Sequence, residues 1–234
     1  MTCWTAIAIK TPNACKTRLR AALSPDARER LVRAMLDHVV ATAEAAADVG
    51  RLVLLTPPGH DLARSIERFV DEGTGLNGEL TRLTQAAAAR GADRLVILPA
   101  DLPRLRKADI ESLSALPPGC AAIAPDRAGS GTNALSLPLP AARDFRFRFG
   151  PDSFARHRDD AARLALPLEI IRSDTLGFDV DEPADLLALA ESACGRGEPE
   201  YPGLHLVRTP PHPQPGQTGR GSRLGPAQSA TTGR

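Results

Sequence analysis

The sequence predicts an α/β fold, a doubly wound, mostly parallel sheet with helices on both faces. Three observations carry that prediction. Aliphatic runs at residues 3–9, 51–56, 94–98 and 120–124 are near-continuous rather than alternating, as strands buried on both faces are. Helix-length segments separate them, so strands and helices alternate along the chain. The central run, Arg94-Leu95-Val96-Ile97-Leu98-Pro99-Ala100-Asp101-Leu102-Pro103, ends in a carboxylate between prolines, where open α/β sheets take their ligands. Viewed alone, Asp101 reads equally well as a turn or helix-starting residue.

Residues 3–9 are the first strand, followed by a polar loop that carries Lys10, Lys16 and Arg18. Ser24-Pro25-Asp26 opens a helix, with Ser at the cap and Pro at the first position. Leu31, Met35, Val39 and Val40 give that helix an apolar stripe for packing on the sheet. The second strand, 51–56, is stopped by Pro57-Pro58-Gly59; a short helix over 61–68 and a brief strand over 68–71 follow. A Gly-rich loop at 72–77 leads to a helix over 78–90, and then to the central strand. Beyond it come a helix at 107–113, a Pro117-Pro118-Gly119 turn and the fifth strand. A glycine-bearing loop at 125–133 precedes strand-like 134–137. At 145–149 Phe alternates with Arg, which reads as a half-exposed edge or loop and a candidate interface. Ser153 caps a helix over 154–164; a strand at 168–171 and a capped helix over 182–191 complete the body.

The chain of 234 residues suffices for one sizeable domain, placed at 1–195. From residue 196 the composition shifts to seven Pro and seven Gly in 39 residues, a tail expected to be flexible. The net charge of +1 includes five Lys/Arg against two Asp/Glu in that tail, which leaves the body slightly acidic. That gives no support for a general nucleic-acid binder, which usually carries a concentrated basic stripe. Cys3, Cys15, Cys120 and Cys194 form no close pair, which argues against a disulfide framework or structural zinc and fits a reducing cytoplasm. Neither a secretory signal nor a membrane-spanning run is visible, so a soluble cytoplasmic protein is expected.

Three constellations carry chemistry. Asp101 joins Asp179 and Asp181 of Phe178-Asp179-Val180-Asp181, whose alternate spacing puts both carboxylates on one side of an extended segment. Such hard oxygen ligands suit Mg2+, which keeps substrate phosphates and waters in its shell. Asp181-Glu182-Pro183-Ala184-Asp185 also reads as a helix start, so Asp181 is either a cap or a ligand. Lys10, Lys16 and Arg18 make a cation set after the first strand, suited to a polyphosphate or simply solvated. The Walker A and Rossmann glycines are both missing. Finally, Gly129-Ser130-Gly131-Thr132-Asn133 and Phe149-Gly150-Pro151-Asp152-Ser153 turn amide and hydroxyl donors toward an oxyanion, or are ordinary turns and caps. His157 is equally a structural hydrogen-bonder or a substrate contact.

Together these segments resemble the guanylyltransferase family of coenzyme F420 biosynthesis, which acts on 2-phospho-L-lactate, phosphoenolpyruvate or 3-phospho-D-glycerate. The resemblance runs in order through Lys10, Lys16-Thr17-Arg18-Leu19, Gly73-Thr74-Gly75-Leu76-Asn77, Pro99-Ala100-Asp101-Leu102-Pro103, Ala124-Pro125-Asp126-Arg127, Gly131-Thr132-Asn133-Ala134-Leu135, the 149–154 segment with His157, and Asp179-Val180-Asp181-Glu182-Pro183-Ala184-Asp185-Leu186. It implies a nucleotide-diphospho-sugar-transferase-like fold and a reaction joining GMP from GTP to a three-carbon phosphoacid, with release of pyrophosphate. Thr132, Gly150 and Ser153, with Asn133 and His157 beside them, match the acid-binding side; Gly75, Asn77 and Pro99 fall on the guanosine side. Asp101 with Asp179 or Asp181 would hold Mg2+, and Lys10, Lys16 and Arg18 would meet the triphosphate, with Asp101, Lys16 and Arg18 as the catalytic set. The product would pass to a transferase acting on a deazaflavin precursor, and a homodimer is compatible with the pattern. The Ala/Arg/Leu/Pro-rich composition favours phosphoenolpyruvate or 3-phospho-D-glycerate, the latter slightly ahead though no motif selects it. Alternatives are a nucleotidyltransferase for a sugar phosphate or the molybdenum cofactor, and a non-catalytic nucleotide binder.

Overall fold

The structure, a computed structural model, describes residues 2–9, 16–47, 49–58, 66–196 and 201. Its strands are β1 (Cys3–Ala8), β2 (Arg51–Thr56), β3 (Glu67–Val70), β4 (Arg94–Pro99), β5 (Ala121–Pro125), β6 (Thr132–Pro138) and β7 (Leu168–Ile170). The α-helices are α1 (Pro25–Ala45), α2 (Gly75–Ala89), α3 (Lys107–Ser114), α4 (Ser153–Arg163) and α5 (Pro183–Arg196), with a 3-10 helix at Thr17–Ala21. All seven strands join one sheet in the order β3-β2-β1-β4-β6-β5-β7. Neighbours pair in parallel except at β6, which runs antiparallel to both β4 and β5.

Period-two alternation divides the strand side chains between two cores. Leu95 and Ile97 of β4 face α2 and α4, together with Trp4, Val53, Leu80, Leu83, Leu135 and Phe154. Val96 and Leu98 face the other way, onto Ile7, Leu36, Val39, Ile110 and Leu113 of the α1 and α3 side. A third, smaller core gathers Leu19, Leu31, Met35, Phe178, Val180 and Leu186, which fixes the 3-10 helix and α5 over one end of the sheet. Tyr201 is buried there and donates its hydroxyl to the Pro103 carbonyl at 2.7 Å. At the opposite rim, buried Arg94 donates to Ser136 Oγ and to the carbonyls of Leu116, Pro117 and Cys120.

Several local readings hold. Ser24 accepts from Ala27 N with Pro25 at the first helical position, and the second strand covers the predicted residues. Others shift for identifiable reasons. Helix α2 starts at Gly75 rather than 78, because Glu79 reaches back to accept from Glu72 N and Thr74 N at 3.0 and 3.1 Å. Residues 67 and 68 belong to β3 rather than to a short helix; 61–65 lie outside the described residues. Asp152, not Ser153, takes the cap position of α4, and Ser153 is its buried first residue. The 145–149 segment is irregular, and Phe145 and Phe147 are buried in the chain's own core, so its aromatic side is not an exposed interface.

Candidate active site

The rim where β1 and β4 end and β6 begins opens into a cavity of about 650 Å³, within the usual range of roughly 300–1,000 Å³ for ligand pockets. Its floor is apolar, made by Ala8 and Ile97 of the sheet and Leu76 and Leu80 of α2. These floor residues were not readable as functional, since each occupies an ordinary core position of its element. Around the floor stand two chemically different walls.

The acidic wall gathers Asp101, just past β4, with Asp179 and Asp181 ahead of α5; Pro99 and Arg18 line the cavity beside them. Lys16 heads the 3-10 helix in a left-handed backbone conformation (φ 55°), a strained state for a non-glycine residue. Its buried ammonium lies 2.5 Å from Asp101 Oδ2 and 2.7 Å from Asp181 Oδ1. Burial works against the Lys16 charge, but the two carboxylates outweigh it and hold its pKa above the ordinary lysine value. Asp179 is pushed up to about 6, first by burial and then by the like charges of Asp101 and Asp181. Lys16 and a 3.4 Å hydrogen bond from Asn133 Nδ2 offset that only in part. Three carboxylates therefore crowd one ammonium. The excess of hard, negative oxygens suits a divalent cation chemically. Among the described residues, however, no group of three or more acidic, His or Cys side chains stands in a ligating arrangement.

Asp181 directs its carboxylate at Lys16, and it is Asp185, in the first turn of α5, that reaches back to the N–H groups ahead of the helix. Asp185 Oδ2 accepts from the backbone N–H groups of Asp181 and Glu182 at 2.9 and 2.8 Å, and its Oδ1 pairs with Arg127. Asp181 is thus an ion-pair partner of Lys16, while Asp185 holds the N–H groups ahead of the helix. Arg18 bonds Glu182 at 3.1 Å and is largely exposed.

The donor wall consists of Ser130, Gly131, Thr132 and Asn133 on one side and of residues 149–153 on the other. The β5–β6 hairpin is tight: Asp126 Oδ1 accepts from Ser130 N at 2.9 Å, and a Cβ at Gly131 would sit 2.6 Å from Asp126 Oδ2. Gly150 has φ +128°, which L side chains rarely adopt. Asn133 donates to Leu176 O at 3.0 Å besides its contact with Asp179.

The structure therefore brings Asp101, Asp179, Asp181, Arg18, Pro99, Thr132, Asn133, Gly150 and Ser153 to one cavity, with Lys16 behind the carboxylates. Gly75 and Asn77 are not among the lining residues. Asn77 clamps the neighbouring wall, donating to Phe149 O at 3.2 Å and accepting from Phe149 N at 2.8 Å. His157 is buried one layer behind Thr132. Lys10 lies outside the described residues. Among the described residues, no helix is long and apolar enough to cross a membrane.

The chain is similar to proteins of one family. Residues 4–206 match the family described as "Guanylyl transferase CofC like". The chain is 40% identical over 198 residues to the phosphoenolpyruvate guanylyltransferase of Sphaerobacter thermophilus, covering 82% of this chain and 95% of that protein. It is 36% identical over 207 residues to the 2-phospho-L-lactate guanylyltransferase of Natrialba magadii, covering 78% and 83%. Among solved structures, it is similar to a Desulfovibrio desulfuricans protein provisionally described as a nucleotide-diphospho-sugar transferase. That likeness has a TM-score of 0.73 at 19% identity, covers 89% of this chain and 95% of the other, and speaks for the fold alone.

Proposed function

The chain belongs to the CofC-like guanylyl transferase family of F420-type cofactor biosynthesis, and from that premise we propose that it joins GMP from GTP to the phosphate of phosphoenolpyruvate, releasing pyrophosphate. The carrying observation is the two-walled cavity: carboxylates with Lys16 and Arg18 on one side, hydroxyl and amide donors on the other. A nucleotide polyphosphate with its cation suits the first wall, and a small phosphoacid the second. Phosphoenolpyruvate is preferred to 3-phospho-D-glycerate because relatives such as the Sphaerobacter enzyme are named for it.

The attacking group is a phosphate oxygen of the acid, already ionised near neutral pH because its second pKa is about 6, so no protein base is required. Thr132, Asn133, Gly150 and Ser153 hold and orient the acid for in-line attack on the α-phosphorus. Arg18, with Lys10, offsets charge on the leaving pyrophosphate, Lys16 holds Asp101 and Asp181 from behind, and Pro99 belongs to the nucleotide side. Asp101 with Asp179 and Asp181 would hold Mg2+, which when bound supplies charge neutralisation at the phosphates. What remains for the chain is positioning and electrostatics.

One assay tests the reading: GTP and Mg2+ with phosphoenolpyruvate, 3-phospho-D-glycerate or 2-phospho-L-lactate in turn, following pyrophosphate and product mass. Phosphoenolpyruvate should give the highest kcat/KM; absence of pyrophosphate with all three acids would end the proposal. Asp101→Asn should lower kcat at least about 100-fold while leaving the circular dichroism spectrum unchanged. Near-normal turnover in that variant refutes a role for Asp101 in the chemistry.

A further inference from the structure

His157 is absent from the cavity surface yet bonds to Thr132 of the donor wall and to Arg148, the residue next to its other half. Its Nδ1 lies 3.0 Å from Thr132 Oγ1, and its Nε2 lies 2.9 Å from Arg148 N. We propose that His157 is a positioning residue whose neutral, Nδ1-protonated ring fixes the Thr132 hydroxyl as a hydrogen-bond donor toward an oxyanion of the phosphoacid. This rests on the acid-binding role of Thr132 proposed above and assigns how that role is enforced.

The argument starts from the one partner whose direction is fixed. A backbone N–H can only donate, so the Nε2 that meets Arg148 N must carry a lone pair. The single proton of the neutral ring is then on Nδ1, and it is given to Thr132 Oγ1. Thr132 has one hydroxyl proton of its own. With its oxygen already accepting from within the protein, that proton is what the side chain offers to the cavity it lines. The opposite tautomer would turn a lone pair toward the ligand and repel an anion at the same place.

The ring is held firmly enough for this. It is 1% exposed, with Phe149 and Phe145 at centroid distances of 4.8 and 5.7 Å. The same imidazole anchors Arg148 N, next to the Phe149 backbone that Asn77 clamps, so Gly150 leaves a chain fixed at two consecutive residues. The ionisable groups nearby do not disturb the arrangement. Asp160 is engaged with Arg146 N and Arg163, and the Arg146 and Arg148 side chains point outward from an alternating segment whose Phe145 and Phe147 are buried.

Two measurements test the inference. Long-range 1H–15N correlation on the wild-type protein at neutral pH should show His157 with Nε2 bare and Nδ1 protonated; an Nε2-protonated or doubly protonated ring overturns it. In steady-state kinetics, His157→Phe should raise KM for the acid about tenfold or more, as loss of one hydrogen bond to a charged group implies, with KM for GTP within about twofold. Thr132→Val should do the same, and the double variant should be little worse than either single one. A merely structural histidine would raise both KM values together or add to the Thr132 effect, and either result overturns the inference. Should wild type turn over none of the acids, the proposed function fails, while the tautomer measurement still decides this point.

Discussion

Burial holds the His157 imidazole at a pKa of about 4, against 6.5 for an ordinary histidine, and the Asp160 carboxylate offsets this only partly. The unfolded chain therefore takes up a proton that the folded chain refuses. Stability from the neutral ring is complete above pH 6.5 and is lost as pH falls toward 4, by roughly 3 kcal/mol in all. Urea unfolding at pH 7 and 4.5 should show wild type losing about 2–3 kcal/mol more than His157→Phe over that interval. Equal losses in the two proteins would remove the effect from His157. At this scale the sequence was half legible. Asp101 could be read because an aliphatic strand delivers it to the ligand rim, a local pattern. The contact of His157 with Thr132 joins residues 25 apart and left no local signal. Nor did the sequence show that Asp181 would turn to Lys16 and leave the N–H groups ahead of α5 to Asp185, since the Lys16 contact spans 165 residues.

At the scale of the element, α2 shows what propensity leaves out. Its N-terminal turn is organised from within by Glu79, a fully buried carboxylate. Glu79 Oε1 accepts from Glu72 N, Thr74 N and Thr74 Oγ1, and Oε2 pairs with Arg82. Burial pushes its pKa up, but the Thr74 and Glu72 bonds and Arg82 prevail and bring it down to about 2. Glu79→Gln keeps the shape and the Oε1 acceptor of the Glu72 and Thr74 donors, but sets an NH2 against Arg82 in place of a charged oxygen. The expected cost is about 1–3 kcal/mol, measured as a lower urea midpoint at unchanged slope. Leu76 and Leu80 floor the cavity, so KM for GTP should rise in the same variant; unchanged stability would mean the buried carboxylate is replaceable. Helix α1 behaves oppositely: Ser24 and Pro25 announce its start, and the structure keeps them there. The difference is locality, because a cap three residues away is visible in sequence and a carboxylate reaching back from the second turn is not.

For the whole molecule, the alternation of strands and helices was enough to specify a doubly wound sheet, and both faces are indeed covered. The reversal of β6 was not legible, because a strand's side-chain pattern is the same in either direction and only its partners set its orientation. The cavity is lined by residues of β1, β4, β6, α2, α4 and the segment ahead of α5, so a ligand bridging its walls binds the folded chain alone. GTP with Mg2+ at about 100 times its Kd should stabilise by about 2.7 kcal/mol, raising Tm by roughly 5–10 °C. Scanning calorimetry with GTP and with ATP checks this; an equal shift with ATP would argue against guanine selectivity. The reversed strand has one more consequence. Because β6 starts at the rim where β4 stops, the hydroxyl and amide donors and the carboxylates sit shoulder to shoulder but belong to separate stretches of polypeptide. Substitutions in the short hairpin at 126–131 can then reshape the donor wall while the carboxylate wall stays as it is.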